Sequence, residues 1–193
     1  MSAVVDLETW TAFTDTLADA SGRVILPSFR RPLAVDSKAG GRSFDPVTEA
    51  DRAAERCLRA LIAERFPDHG IVGEEYGEGG GDARLRWILD PIDGTRAFIA
   101  GLPLWGTLIG LCEGDEPVLG CVDQPYLGER YTGSAAGAWL RGRDGTRSRL
   151  ATRACPSLAE ATLYSTDPAM FRTPAERDAQ ARVAARARLA RWG

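Results

Sequence analysis

The sequence predicts an α+β domain in which helices and a mostly antiparallel sheet form packed layers. Three observations favour this fold class: two helix-spaced segments at the start, a series of strand-like segments after residue 84, and one helix-like segment near the end. The 193 residues, 44% hydrophobic and 26% charged, suffice for one domain with a core. No internal repeat or linker marks a second domain.

The first two helices are predicted at residues 6–30 and at Thr48–Phe66. The first segment has helical spacing with few breakers until Pro27. The second carries apolar side chains at spacings of three and four, which is typical of an amphipathic helix. Between them, residues 36–46 read DSKAGGRSFDP and predict a loop rich in glycine and charge.

Strand periodicity then replaces helical periodicity. Glycine-containing turns separate several of the strand-like segments, and Asp144-Gly145 predicts a hairpin tip. The predicted strands are Leu85–Leu89, Thr107–Cys112, Val118–Val122, Glu129–Thr132, Ala138–Arg141, Ser148–Ala151 and Leu163–Ser165. The segment Glu78–Asp82 is predicted to be a glycine-rich loop, and a last helix is predicted at Pro174–Ala187.

Composition and patterning argue against several classes of function. No apolar run approaches the roughly 18–20 residues that span a bilayer, so we expect no membrane association. The N-terminus lacks a basic region followed by an apolar stretch, which predicts a cytoplasmic protein without a signal peptide. The net charge is −3, and the six arginines between Arg172 and Gly193 follow a helical pattern typical of a solvated face. We therefore expect no nucleic-acid partner.

Cysteine and histidine chemistry is also disfavoured. The four cysteines are scattered and His69 is the only histidine, whereas zinc sites need clustered Cys and His ligands. A single histidine also leaves little scope for Ser-His-Asp or Cys-His catalysis. If the protein is an enzyme, carboxylates are the best candidates for its catalytic groups.

Residues 89–98 read LDPIDGTRAF and place two carboxylates three positions apart after an apolar strand. Asp, Pro and Gly commonly end strands and begin helices, so a simple turn is one interpretation. The other is a cation site, in which Asp90, Asp93 and the Ile92 carbonyl lie beside a helix that begins at Gly94-Thr95. A second D-G-T, at 144–146, lacks the preceding strand and the proline, and most simply forms a turn.

Two further acidic segments favour structural interpretations when each is taken alone. Thr48, followed three residues later by Asp51, fits a capping box at the start of a helix. Glu74 and Glu75 follow a glycine and precede a glycine-rich loop, which is typical of a solvated turn.

Together, VTEAD (47–51), GEE (73–75) and DPIDGT (90–95) resemble the inositol monophosphatase family of Mg²⁺-dependent phosphomonoesterases. The continuation of the third motif to residue 111 and the segment VDQPYLGERY (122–131) resemble its histidinol-phosphate phosphatase branch. The resemblance implies a layered α/β sandwich of the sugar phosphatase type and, for full-length members, a homodimer. It also implies a small phosphorylated metabolite as substrate. Histidinol phosphate is the first candidate, and inositol 1-phosphate or another sugar or nucleotide monoester is the alternative.

The resemblance also implies a set of cation and phosphate ligands, with two or three Mg²⁺ ions per site. Glu74, Asp90 and the carbonyl of Ile92 are expected to bind the first ion, and Asp90 and Asp93 are expected to share the second. Asp93 and the backbone N–H groups of Gly94-Thr95 are expected to hold the phosphate group.

The catalytic roles implied by the resemblance fall on three residues. Asp51 and Thr95, together with Glu74, are expected to orient and activate the attacking water. Lys38, the only lysine of the chain, and Glu75 match accessory positions near the site. A solvated loop lysine remains an equally open interpretation of Lys38.

The sequence departs from the family pattern in one respect. Family members carry a Trp-Asp motif whose aspartate completes the second metal site, and none of the five tryptophans here is followed by aspartate. We therefore expect residues 1–193 to form one partial domain in which the C-terminal α/β half is largely missing. On that expectation the chain alone has little or no phosphatase activity, and an inactive remnant is a further interpretation.

Overall fold

The computed structural model describes residues 3–37, 46–80 and 83–193. The helices are α1 (Ala3–Ile25), α2 (Glu49–Arg65), α3 (Thr95–Ile99) and α4 (Pro174–Ala184). The strands are β1 (Val35–Ser37), β2 (Pro46–Thr48), β3 (Gly70–Gly73), β4 (Gly77–Gly79), β5 (Leu85–Asp93), β6 (Gly106–Glu113), β7 (Glu116–Gln124), β8 (Glu129–Ser134), β9 (Gly137–Arg141), β10 (Arg147–Leu150), β11 (Thr162–Ser165) and β12 (Leu189–Trp192). The chain divides into two compact units, residues 1–150 and 151–193. That residues 1–193 form a single partial domain therefore stays a prediction from the sequence.

The first unit contains an eight-stranded sheet in the order β10-β9-β8-β7-β6-β5-β3-β4. Neighbouring strands are antiparallel throughout, except that β3 and β5 run parallel. From β5 to β10 the spatial order follows the chain order. Short turns join the antiparallel strands from β6 to β10, and residues 94–105, which contain α3, join β5 to β6. The mostly antiparallel sheet predicted from strand periodicity is confirmed.

Helices α1 and α2 supply the buried side chains of the main core. Leu17 of α1 and Leu58 and Ile62 of α2 are fully buried together with Trp87 of β5 and Leu111 of β6. Each such side chain contributes about 1.5–3 kcal/mol by leaving water. The apolar stripe that predicts the second helix is thus the face of α2 that packs on the sheet.

The opposite face of the sheet is partly apolar and exposed. Ile88 and Val122 are 40% and 41% exposed. Trp87 and Leu89, on either side of Ile88 in the chain, are buried, because successive side chains of a strand point to opposite faces.

The predicted elements are found with small shifts at their ends. The first helix ends at Ile25 and continues as a short 3₁₀ helix, Leu26–Ser28, that contains Pro27. The final helix ends at Ala184, three residues earlier than expected. Strands β1 and β2 lie at the two ends of the predicted loop 36–46, and residues 38–45 lie outside the described part of the chain.

Two expectations about local structure are wrong. The predicted loop Glu78–Asp82 begins within strand β4 (Gly77–Gly79), which pairs with β3, and residues 81–82 lie outside the described part of the chain. Strand β5 does not end at Leu89 but continues through Pro91 to Asp93. The pairing register with β6 shifts between Asp90 and Asp93, and such an irregularity tolerates a proline, which has no N–H to donate.

The second unit contains β11, α4 and β12. Strands β11 and β12 pair in parallel, with Thr162 opposite Leu189, so α4 lies in the crossover between them. Thr173 and Glu176 form a capping box at the start of α4. Strand β12 is missed by sequence reasoning, because LARW follows an alanine- and arginine-rich helical pattern without a break.

A buried arginine connects α1 to the sheet. Arg130 of β8 is 4% exposed, and its Nε donates to Asp123 of β7 at 2.7 Å. Its Nη1 and Nη2 donate to Asp15 (2.7 Å) and Asp19 (2.5 Å) of α1. Burial raises the pKa of Asp123, although Arg130 opposes the shift. Burial acts in the same direction on Asp19, but there Arg130 outweighs it and the pKa is lowered.

Replacing Arg130 with methionine is expected to lower the free energy of unfolding by about 3–5 kcal/mol, because Asp123 then stays buried without its partner. Urea denaturation near pH 8 measures this loss. Because burial raises the pKa of Asp123 in the folded state, folding takes up a proton as the pH falls toward that pKa. Arg130 opposes this rise in the wild type, so the variant gains more from protonation of Asp123, and the loss should shrink as the pH falls.

The matched control is Arg84→Met, since Arg84 is 82% exposed and pairs with Glu113 at the surface. We expect a change below about 0.5 kcal/mol for this variant. Equal losses in the two variants would contradict a central role for Arg130.

Candidate active site

The parallel pairing of β3 and β5 brings two acidic residues together. Gly73, the last residue of β3, lies opposite Leu89 of β5, and both strands run in the same direction. Glu74 follows Gly73 and Asp90 follows Leu89, so the two acids lie side by side. The N–H of Glu74 donates to the carbonyl of Leu89 at 3.1 Å, which ties the two chain segments together at this point.

The carboxyl groups of Glu74 and Asp90 are hydrogen-bonded to each other. Burial, the charge and hydrogen bond of Glu74 and, more weakly, the charge of Asp93 raise the pKa of Asp90 to about 8. The N–H of Ile92 donates to Asp90 and acts in the opposite direction. Two carboxyl groups this close favour binding of a positive charge between them, either a proton or a cation.

The segment after Asp90 is shaped by the shifted pairing of β5 with β6. Asp93 lies opposite Gly106, beyond the register shift, and is exposed. Gly94 has φ = 85°, and a Cβ at this position would lie 2.7 Å from the carbonyl oxygen of Leu104, so both conformation and space require glycine. Thr95 begins α3, and its hydroxyl donates to the carbonyl of Ile92 at 3.0 Å.

Asp51 lies in the first turn of α2 and is 2% exposed. Its Oδ2 accepts hydrogen bonds from the N–H (2.8 Å) and hydroxyl (2.5 Å) of Thr48. The predicted capping box is therefore confirmed. Its neighbour Ala50 packs in one apolar cluster with Ile92, so the start of α2 lies against the segment that follows Asp90.

The remaining sequence-predicted residues have different positions. The N–H of Glu75 donates to Glu55 of α2 at 2.7 Å, and Lys38 lies outside the described residues. The only histidine has a structural role: Nδ1 of His69 accepts from Nε1 of Trp87 at 3.1 Å, and burial lowers the pKa of His69. The second D-G-T forms a hairpin tip, as predicted, with the N–H and hydroxyl of Thr146 both donating to Asp144.

Glu74, Asp90 and Asp93 offer carboxylate oxygens, which are the donor atoms that a hard divalent cation prefers. Over 3–37, 46–80 and 83–193, no three His, Cys, Asp or Glu side chains converge into a ready-made ligand group. The raised pKa of Asp90 nevertheless shows that Glu74 and Asp93 both lie within electrostatic reach of it. Oxygen-only donors of this kind suit Mg²⁺.

The inositol monophosphatase family model matches residues 6–190. The chain belongs to the inositol monophosphatase family. It is 40% identical over 193 residues to the bifunctional phosphatase IMPL2, chloroplastic, of Arabidopsis thaliana, covering 97% of this chain and 53% of that protein. It is 46% identical over 128 residues to a histidinol-phosphatase of Chlorobaculum parvum, covering 65% of this chain and 48% of that protein.

A solved structure of an inositol monophosphatase from Zymomonas mobilis matches with a TM-score of 0.79 at 39% identity, covering 98% of this chain and 69% of that one. The family fold expected from the motifs is thus confirmed. The chain spans about half the length of the two curated relatives above.

Sequence reasoning missed one buried acid beside the candidate site. Glu55 is fully buried in α2 and hydrogen-bonds to the turn that carries Glu74 and Glu75. Its signal is a spacing of four from Asp51, which places both acids on one helix face. Acids at that spacing also occur on solvent-exposed helix faces, so the sequence alone does not show that Glu55 is buried.

The two D-G-T segments provide a matched pair of variants for cation binding. Asp93→Asn is expected to weaken Mn²⁺ binding by at least about tenfold, since even supporting groups of metal sites contribute this much. Asp144→Asn, in the hairpin tip, is expected to leave it unchanged. Calorimetric titration of Mn²⁺ measures both, and equal effects of the two variants would argue against a site at Asp93.

Proposed function

We propose that this chain carries the cation and phosphate site of a Mg²⁺-dependent phosphatase that hydrolyses a small phosphate monoester. The observation that supports this most directly is the contact between Glu74 and Asp90 at the ends of two parallel strands, with Asp93 close enough to raise the pKa of Asp90. Glu74 and Asp93 are exposed, so a substrate and its cations can reach them from solvent.

In this proposal, Glu74, Asp90 and the carbonyl of Ile92 hold one Mg²⁺, and Asp90 and Asp93 share a second. When bound, such a pair of ions lowers the pKa of water and offsets the charge of the phosphate. Binding of the cations would compete with protonation of Asp90, whose pKa burial and the charge of Glu74 raise to about 8, which is the usual coupling of cation and proton binding.

The residues after Asp93 orient the reactants. Asp93 and the N–H groups of Gly94 and Thr95 hold the phosphate group in the proposal. Asp51 and Thr95, with Glu74, direct the attacking water along the line of the breaking P–O bond. The capping bonds from Thr48 restrict the carboxylate of Asp51 to one orientation, which suits such a directing role.

Histidinol phosphate is the proposed substrate, which places the protein in histidine biosynthesis. The support is the 46% identity with a protein named histidinol-phosphatase and the likeness of residues 90–111 and 122–131 to that branch. Inositol 1-phosphate is the second candidate, because the similar solved structure is that of an inositol monophosphatase. A homodimer is proposed for a full-length member.

No helix in the described part of the chain is long and apolar enough to cross a membrane. A cytoplasmic location and the lack of a nucleic-acid partner stay predictions from sequence. In α4, Arg177 uses its Nη1 to bind the carbonyl of Arg172 at 2.7 Å, so this arginine is engaged by its own chain.

Phosphate release from histidinol phosphate and from inositol 1-phosphate, measured with Mg²⁺ and with EDTA, tests the function. In a full-length protein that contains this segment, we expect faster release from histidinol phosphate, loss of all release with EDTA, and a decrease of at least about 100-fold for Asp90→Asn, which removes a ligand of both cations. Residues 1–193 alone are expected to release little or no phosphate. Asp144→Asn is the control. Release that persists in EDTA would contradict the proposed mechanism, and preference for inositol 1-phosphate would contradict the substrate.

A further inference from the structure

Glu55 is a buried carboxylate whose hydrogen bonds lead to the turn that carries Glu74. The side chain is fully buried in α2. Its Oε2 accepts from the N–H of Glu75 at 2.7 Å, and its Oε1 accepts from the N–H of Tyr76 at 3.2 Å. Two successive backbone donors immediately after Glu74 are therefore held by one side chain.

The same carboxylate also contacts the backbone immediately before Glu74. A Cβ built on Gly73 would lie 1.9 Å from Oε1 and 2.3 Å from Cδ of Glu55. Only glycine allows the carboxylate to approach this closely, since real Cβ atoms do not come nearer than about 3 Å to another heavy atom. Glu55 thus contacts the main chain on both sides of Glu74.

Arg59, one turn further along α2, completes the arrangement. Its Nε donates to Oε1 of Glu55 at 2.8 Å, and its Nη2 donates to the carbonyl of Gly77. Burying a carboxylate is expensive unless it is paired and hydrogen-bonded, and Glu55 has three donors from the protein. A purely apolar contact would bury the turn at lower cost but would not specify its conformation.

Asp51, Glu55 and Arg59 lie four residues apart, so they occupy one face of α2. That face fixes the start of α2 through Asp51 and the turn after β3 through the other two side chains. One helix is therefore in contact with the turn that carries Glu74 and, through the apolar cluster that contains Ala50 and Ile92, with the segment that follows Asp90.

We infer that Glu55 is a positioning residue, which fixes the backbone on both sides of Glu74 and thereby sets the separation between the carboxylates of Glu74 and Asp90. The inference deepens the proposed function and rests on it for the role of Glu74. Glu55 itself need not contact substrate or cation.

The test uses Glu55→Gln, which keeps the size of the side chain but replaces one acceptor oxygen with an amide donor. In the protein without added metal, exchange of the amide hydrogens of Glu75 and Tyr76 is expected to increase roughly 10- to 100-fold, the range for losing a hydrogen bond to a charged acceptor. Mn²⁺ affinity is expected to fall by at least about tenfold, as for other groups that support metal ligands.

Glu64→Gln is the matched control, since Glu64 lies on the exposed side of the same helix. It should change neither amide exchange at 75–76 nor Mn²⁺ affinity. Gly73→Ala is an independent second variant, because its methyl group would displace the Glu55 carboxylate without removing any ligand. Gly73→Ala should increase amide exchange at Glu75 and Tyr76 and weaken Mn²⁺ binding, as Glu55→Gln does. If Glu55→Gln fails to fold, Gly73→Ala provides the test.

Two results would overturn the inference: unchanged amide exchange at Glu75 and Tyr76, or faster exchange together with wild-type Mn²⁺ affinity. A wild-type chain that binds no Mn²⁺ would instead refute the proposed function in this chain. In that case the role of Glu55 in holding the turn is still decided by amide exchange, so the two failures are distinguishable.

Discussion

The parallel pairing of β3 with β5 is the constraint on which the rest of the site depends. Two strands that run in the same direction end at the same edge, so Glu74 and Asp90 become neighbours although they are distant in the sequence. An antiparallel pairing would have placed them at opposite ends. Burial, and next to it the charge of Glu74, raises the pKa of Asp90 to about 8.

Much of the fold could be predicted from the sequence, because its elements follow strong local patterns. The stripe of α2, the capping box at Thr48 and the hairpin tip at Asp144-Gly145 are each specified by residues close together in the chain. The family could be predicted because three acidic motifs occur in one order. No single acidic segment suffices, as the second D-G-T shows.

The rest depends on contacts between distant residues. Strand β5 continues past Pro91 because β6 pairs with it beyond a register shift, and no local pattern announces that shift. Glycines in β4 adopt a strand because β3 offers an edge. The role of Glu55 depends on how closely Gly73 approaches it, and the sequence contains both residues without relating them.

The order of the strands has a consequence for how the first unit folds. Each hairpin from β6 to β10 closes over a short stretch of chain, so little loop entropy is lost when it forms. Arg130 and Asp15, by contrast, are 115 positions apart. Docking α1 through this arginine carries the greater entropic cost, and we expect it to follow the pairing of β7 with β8, which carry Asp123 and Arg130.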